Sequence, residues 1–259
     1  MSLVLSEIDG QLGVITLNDP AKRNCLSAEL IREFCAVLDQ FEQSGVRVVI
    51  LRAPAGSKVW SSGHDISELP KPGRDPLPYG DPFETLLRRV QDSSDPIIAM
   101  IEGSVWGGAC DLALTCDILI GCDTASFAIT PAKIGLPYNP SGLLHFINIL
   151  GLNKAKEMFF TAAPISASDA LNVGFLNHLV DASELEAFTR DLAGKILQNA
   201  PLAIRAIKEQ CRLLSKGYPL DPETFEKLQA IRRVVYDSED YAEGLRAFHE
   251  KRPPCFNCK

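Results

Sequence analysis

Residues 96–120, PIIAMIEGSVWGGACDLALTCDILI, decide the fold, because they read in immediate succession as a buried strand, a glycine turn and a buried helix. Pro96 has no N–H for a sheet ladder, so the apolar run Ile97, Ile98, Ala99, Met100, Ile101 is predicted to be a core strand starting just after it. Gly103, Gly107 and Gly108 bracket Ser104, Val105 and Trp106. Glycines there permit positive φ and let a ligand come close to the backbone, so residues 103–108 are predicted to form a contact turn. From Ala109 the pattern becomes helical, with Leu112, Thr115 and Cys116 on one side. Gly107 and Gly108 therefore fall at a helix N-terminus, whose unpaired amides and dipole favour negative charge on a bound atom.

Upstream, residues 3–7 and 12–18 alternate apolar and polar around Asp9-Gly10, the signature of an opening hairpin. Ser27 is a predicted N-cap, and Leu30, Ile31, Phe34, Leu38 and Phe41 recur at helical spacing until Gly45. Residues 46–52, VRVVILR, suit a strand covered on both faces. Residues 53–66 then form a small-residue loop at a strand end, where open α/β sheets take ligands. Pro70, Pro72, Pro76, Pro78 and Pro82 make the next segment irregular, either a lid or a stiff surface loop. Asp81, Pro82 and Glu84 stand as cap, first-turn proline and capping-box glutamate of a helix from Pro82 to about Gln91.

Downstream, residues 117–121 and 125–128 read as strands, and residues 133–142 as a loop rich in turn residues. Helices dominate from Gly142, with cap signals at Asn153, Ser166, Ser183, Asp221 and Ser238, and one strand at residues 176–180. Phe225, Leu228, Ile231 and Val235 form an apolar stripe that is predicted to pack on the body or on a neighbouring subunit.

With 259 residues, 46% hydrophobic and 23% charged, the chain suits one globular unit with a substantial core. A net charge of −7 argues against a nucleic-acid partner but leaves room for local basic spots that hold a phosphorylated small molecule. The opening MSLVLSEIDG lacks a basic region followed by a long apolar run, and no apolar run nears the roughly 18 residues of a membrane span. A cytoplasmic protein with no membrane partner is expected. Of eight cysteines, Cys35, Cys110 and Cys116 sit in apolar helical patterns, so free thiols are expected rather than disulfides. Cys255-Phe256-Asn257-Cys258 has CxxC spacing but no second pair, so no metal site is expected.

Several motifs then converge. The loop SSGHDI at residues 61–66, the turn GSVWGGA at 103–109, Cys116-Asp117, Pro131 with Gly135, and the ending SEDYAEG at 238–244 followed by AFHEKR at 247–252 resemble the crotonase (enoyl-CoA hydratase/isomerase) superfamily. The resemblance spans nearly the whole chain. It implies an α/β fold, with a spiral of ββα units over residues 1–200 and a helical trimerisation region over 201–259. It also implies an acyl-CoA substrate and a homotrimer or a dimer of trimers. Hydratases of this family resemble one another in a glutamate on the helix after the glycine turn and a second directly after the proline of the later loop. Here those positions are Asp111 and Ala132. Without the second carboxylate the chain lacks the usual acid/base pair for adding water to a double bond. Gly63-His64-Asp65-Ile66, Trp106-Gly107-Gly108 and Pro137-Tyr138-Asn139 are instead similar to decarboxylases of the family.

The resemblance implies that the amides of His64 and Gly108 form an oxyanion hole. A helix N-terminus beside a glycine-rich loop suits that role, each donor being worth about 3 kcal/mol. The His64 ring is either structural or a direct contact for a substrate carboxylate. Tyr138 can bond such a carboxylate without a full positive charge. That matters because the carboxylate must become neutral CO₂, and a strong cation would stabilise the ground state. Asp111 is either a pocket carboxylate or a first-turn charge favoured by the helix dipole. Thr130 resembles a substrate-binding position, with a plain strand-terminal threonine as the alternative. Ser62, Gly63, Asp65 and Ile66 share the His64 loop and are taken as substrate contacts. Lys22, Arg23, Phe248 and Lys251 resemble positions that hold the nucleotide part of CoA. His145, His178 and His249 read as structural or surface residues. The expected reaction is decarboxylation of a short branched malonyl-type CoA thioester, with methylmalonyl-CoA to propionyl-CoA as the leading case. No added cofactor is expected, because the thioester serves as electron sink. The alternatives are an enoyl-CoA hydratase or isomerase using Asp111 alone, and a non-catalytic acyl-CoA-binding scaffold.

Overall fold

Two sheets share the strands, and the chain visits them in turn. The computed structural model describes residues 2–69, 79–215 and 222–256. The chain opens with β1 (Val4–Asp9), β2 (Leu12–Leu17) and α1 (Ala28–Gln43). Then follow β3 (Val48–Arg52), β4 (Val59–Ser61), α2 (Pro82–Asp92), β5 (Ile97–Ile101), β6 (Ser104–Trp106) and α3 (Gly108–Thr115). Next come β7 (Ile118–Cys122), β8 (Ser126–Ala128), α4 (Pro140–Thr161), β9 (Ile165–Ser166), α5 (Ala167–Asn172) and β10 (His178–Val180). The chain closes with α6 (Leu185–Leu197), α7 (Pro201–Ser215), α8 (Pro222–Tyr236) and α9 (Glu239–His249).

The larger sheet has the order β1-β2-β3-β5-β7-β10, and the smaller β4-β6-β8-β9. β1 and β2 form the predicted antiparallel hairpin, with Val4 opposite Leu17, and β2, β3, β5, β7 and β10 run parallel. Each of the pairs β3/β4, β5/β6 and β7/β8 gives one strand to each sheet, so the chain advances as a spiral. Neighbouring side chains on a strand point to opposite faces, and the larger sheet buries both. Val49, Leu51, Ile97, Ala99 and Ile101 enter the main core. Val48, Ile50, Ile98 and Met100 enter a second core closed by Leu185 and Ala193 of α6.

Helix ends follow local chemistry. Ser27 accepts from Leu30 N, Asp81 from Phe83 N and Glu84 N, Ser166 from Asp169 N and Ser238 from Tyr241 N. Near the site, α9 packs on the short 3-10 turn Pro131–Ile134, and a Cβ on Gly244 would overlap the Ile134 carbonyl. Among the described residues no helix is long and apolar enough to cross a membrane.

Several elements differ from the sequence reading. Residues 104–106, expected in a turn, form β6, because Val105 pairs with Phe127 and Trp106 with Ala128. Residues 59–61, expected in a loop, form β4 beside it. β9 is a second strand in the region where only residues 176–180 were expected to be one. α6 is capped at Glu184 rather than Ser183, and Asn153 lies inside α4, just past a break at Gly151 (φ 74°). Residues 70–78, Asp221 and the end of the CxxC tail lie outside the described residues. So do the side chains of Phe225, Leu228 and Ile231.

Candidate active site

β4, β6 and β8 are parallel neighbours, so their carboxyl ends lie at one edge of the smaller sheet. Parallel strands open their ligand sites at that edge. Behind β4 come Ser62, His64 and Ile66, behind β6 Gly107, Gly108 and Asp111, and behind β8 Thr130, Pro131 and Tyr138. All face one cleft, lined by apolar side chains with a few polar groups among them, the make-up of a small-molecule site. Phe83 of α2 and Tyr236 of α8 complete its walls.

The His64 loop is pinned from behind. Asn24 Nδ2 donates to Trp60 O (3.0 Å), Ser61 Oγ to Asn24 O (2.7 Å) and Leu26 N to Gly63 O (2.8 Å). Gly63 has φ +84°, and a Cβ there would overlap the Trp106 carbonyl and stand 2.9 Å from Gly108 N. Only glycine lets the loop lie this close to the start of α3. Gly107 caps that helix and has no side chain to accept from the first turn. A Cβ on Gly108 would be 3.4 Å from His64 N, so the backbones of the two residues lie side by side where both line the cleft. The His64 ring touches Phe83 edge-on, and its Nδ1 donates to Asp65 O (2.9 Å). A carbonyl only accepts, so Nε2 is the nitrogen left for a ligand.

Tyr138 lines the same cleft, packed edge-on to Phe146 and Phe159. Its hydroxyl lies 3.4 Å from Asp111 Oδ2. Burial, then the neighbouring Asp111 charge, raises the phenol well above its ordinary pKa, so it stays a donor. Asp111 is 1% exposed, and its Oδ1 accepts from His145 Nδ1 at 2.8 Å. Burial alone would lower the His145 pKa, but the bond to Asp111 and the charges of Asp111 and Glu84 outweigh it, so the ring is held above its ordinary value.

Seven of the residues singled out from the sequence line this cleft: Ser62, His64, Ile66, Gly108, Asp111, Thr130 and Tyr138. Gly63 sits behind the loop. Asp65 turns away and caps a short 3-10 turn, accepting from Ser67 N (3.0 Å) and Ser67 Oγ (2.7 Å). Lys22 and Arg23 are exposed, but their carbonyls accept from Ser62 Oγ and Ser62 N, which places them beside the loop. Phe248 and Lys251 are exposed at the end of α9 and do not line the cleft. His145, read as structural or surface, is half-buried and pairs with Asp111. Glu84, read as a capping-box residue, accepts from Asn139 Nδ2 and Ser141 Oγ and so ties α2 to the Tyr138 loop. Phe83 and Tyr236 were not singled out. For Phe83 a signal existed in its place right after the Asp81-Pro82 cap. Among the described residues no cluster of three or more His, Cys, Asp or Glu side chains is placed to hold a metal.

The model of the family described as Enoyl-CoA hydratase/isomerase matches residues 7–259. The methylmalonyl-CoA decarboxylase of Escherichia coli K12 is 47% identical over 246 residues, which cover 95% of this chain and 94% of that protein. The short-chain-enoyl-CoA hydratase of Clostridium acetobutylicum is 30% identical over 251 residues, 96% of this chain and 95% of that one. A crystal structure of methylmalonyl-CoA decarboxylase complexed with 2S-carboxypropyl CoA matches with a TM-score of 0.97 at 45% identity, over 100% of this chain and 99% of that one. Sequence and spiral agree, and the chain belongs to the enoyl-CoA hydratase/isomerase family, with its crotonase fold.

Proposed function

We propose that this protein is an acyl-CoA carboxy-lyase that converts a short branched malonyl-type CoA thioester, methylmalonyl-CoA, to propionyl-CoA. One observation carries the reading: His64, Gly108 and Tyr138 line a single cleft, while Ala132 offers no acid/base group beside Pro131. The names of the E. coli relative and of the ligand-bound neighbour support it.

In this mechanism the two amides donate to the thioester oxygen and form the oxyanion hole. The Tyr138 hydroxyl donates to the substrate carboxylate and holds the C–CO₂ bond perpendicular to the thioester plane. That bond breaks, its electron pair flows into the carbonyl, and CO₂ departs. The resulting enolate stays on the amides until its carbon takes a proton. The thioester is itself the electron sink, so the reading calls for no added cofactor. Ser62, Ile66 and Thr130 shape the wall around the acyl group, with Gly63 and Asp65 holding the loop that carries His64. Lys22, Arg23, Phe248 and Lys251 are assigned to the nucleotide part of CoA.

The test is direct. Incubated with methylmalonyl-CoA and a chelator, the purified protein should release CO₂ and form propionyl-CoA. Hydration of crotonyl-CoA without CO₂ release would install the hydratase reading, and binding without turnover the scaffold reading.

We infer also that the chain works as a homotrimer or a dimer of trimers in the cytoplasm. In support, α7 leaves Leu202, Ile207, Leu213 and Leu214 exposed on an otherwise amphipathic helix, and the free thiols suit a reducing compartment. Sedimentation of the full chain should give three or six copies; a stable monomer would remove the oligomer.

A further inference from the structure

We propose that His145 is a positioning residue for this reaction: by pairing with Asp111 it balances the charge of that carboxylate and leaves the Tyr138 hydroxyl free for the carboxylate of the substrate. The inference rests on the decarboxylase reading and extends it to a residue that does not line the cleft.

Asp111 is buried between two partners, His145 Nδ1 at 2.8 Å on one oxygen and the Tyr138 hydroxyl at 3.4 Å on the other. A phenol has one proton, so Tyr138 can serve Asp111 or an incoming carboxylate but not both at once. A committed O–H···O⁻ bond has a length of about 2.5–2.7 Å. At 3.4 Å the bond from Tyr138 to Asp111 is long and weak, so the phenol can be drawn to a stronger acceptor. A buried carboxylate without a cation would claim it, because an unpaired charge is costly in such a place. It would also set one negative charge beside the negative charge of the substrate. An imidazolium on the far side of Asp111 removes both effects.

Among the described residues, the titratable and polar groups that act on His145 are Asp111 from α3 and Glu84 and Gln91 from α2. Gln91 Nε2 lies 2.8 Å from His145 Nε2, and a cationic ring is accommodated there by turning the amide oxygen towards it. Asp111 and Glu84 both favour the charged ring. As pH rises through the titration of His145, the ring loses its charge and Asp111 draws the Tyr138 proton. Decarboxylation should therefore decline on the basic side.

The experiment measures kcat/KM for methylmalonyl-CoA against pH in the wild type, in His145→Gln and in the double variant His145→Gln with Asp111→Asn. Propionyl-CoA binding is measured alongside. The wild type should show a basic limb. His145→Gln should lose about tenfold near neutral pH, the scale of one hydrogen bond to a charged group, and should lack that limb. The double variant should recover most of the activity, since an amide pair makes no demand on the phenol proton. Propionyl-CoA binding should be unchanged in all three. A His145→Gln enzyme with wild-type kcat/KM and profile would overturn the proposal. So would a loss that Asp111→Asn deepens, which is the result of a purely packing role. If His145→Gln does not fold, a wild-type profile without a basic limb is itself sufficient to overturn it. Absence of CO₂ release by the wild type would instead count against the decarboxylase reading.

Discussion

Gly63→Ala is expected to cut decarboxylation by about a hundred- to a thousandfold, the loss that follows removal of one oxyanion donor. Residue 63 touches no substrate in the proposed mechanism, so the effect is entirely geometric. Its added Cβ would overlap the Trp106 carbonyl and press on Gly108 N at 2.9 Å, both of them backbone groups that cannot rotate aside. The His64 loop must then move away from the start of α3, which parts the two amides proposed to hold the oxyanion. A side chain at φ +84° also costs about 1–2 kcal/mol of stability, which the variant should show as a lower Tm. Because the loop is held by bonds from Asn24, Ser61 and Leu26, the fold should survive while the site fails. A folded Gly63→Ala enzyme with near wild-type kcat would show that the paired amides do not form the oxyanion hole.

Tyr138→Phe should lower decarboxylation about ten- to a hundredfold, because a hydrogen bond to a charged group is worth roughly 1.5–3 kcal/mol. The substitution keeps the ring that packs against Phe146 and Phe159, so the aromatic cluster under the cleft should stay intact. Propionyl-CoA, which has no carboxylate, should bind as before. Measuring both ligands separates a lost carboxylate contact from a collapsed pocket, since collapse would weaken both. Unchanged turnover in Tyr138→Phe would remove the phenol from the mechanism and leave His64 as the group that meets the carboxylate.

The long strands were legible because their burial is two-sided. Val48 and Ile50 feed one core while Val49 and Leu51 feed the other, so β3 reads as an unbroken apolar run. β4, β6 and β9 were missed for the opposite reason: two or three residues are too few to show a period, and around β4 and β6 the flanking glycines speak more loudly. Site residues divide the same way. His64, Gly108 and Tyr138 stand in turns whose composition is itself a signal. His145 carries no such mark, because it is a lone histidine within a helix and meets Asp111 across a separation of 34 residues. The Glu84 motif was read for its local capping meaning, whereas its side chain is taken by Asn139 and Ser141 on another element.

The ends of β4, β6 and β8 also divide the chemistry among independent contributors. Each turn of the spiral hands one component to the cleft: the first a loop amide and an imidazole, the second a helix-end amide and a carboxylate, the third the segment with Ala132 and Tyr138. The rungs that build the sheets lie behind these ends and take no part in the reaction. One contributor can thus be exchanged while the other two keep their geometry, as at residue 132, where this chain has an alanine at the position that resembles the second glutamate of the hydratases. A scaffold so divided lets a substitution at the end of one strand alter the chemistry without disturbing the packing that holds the other two.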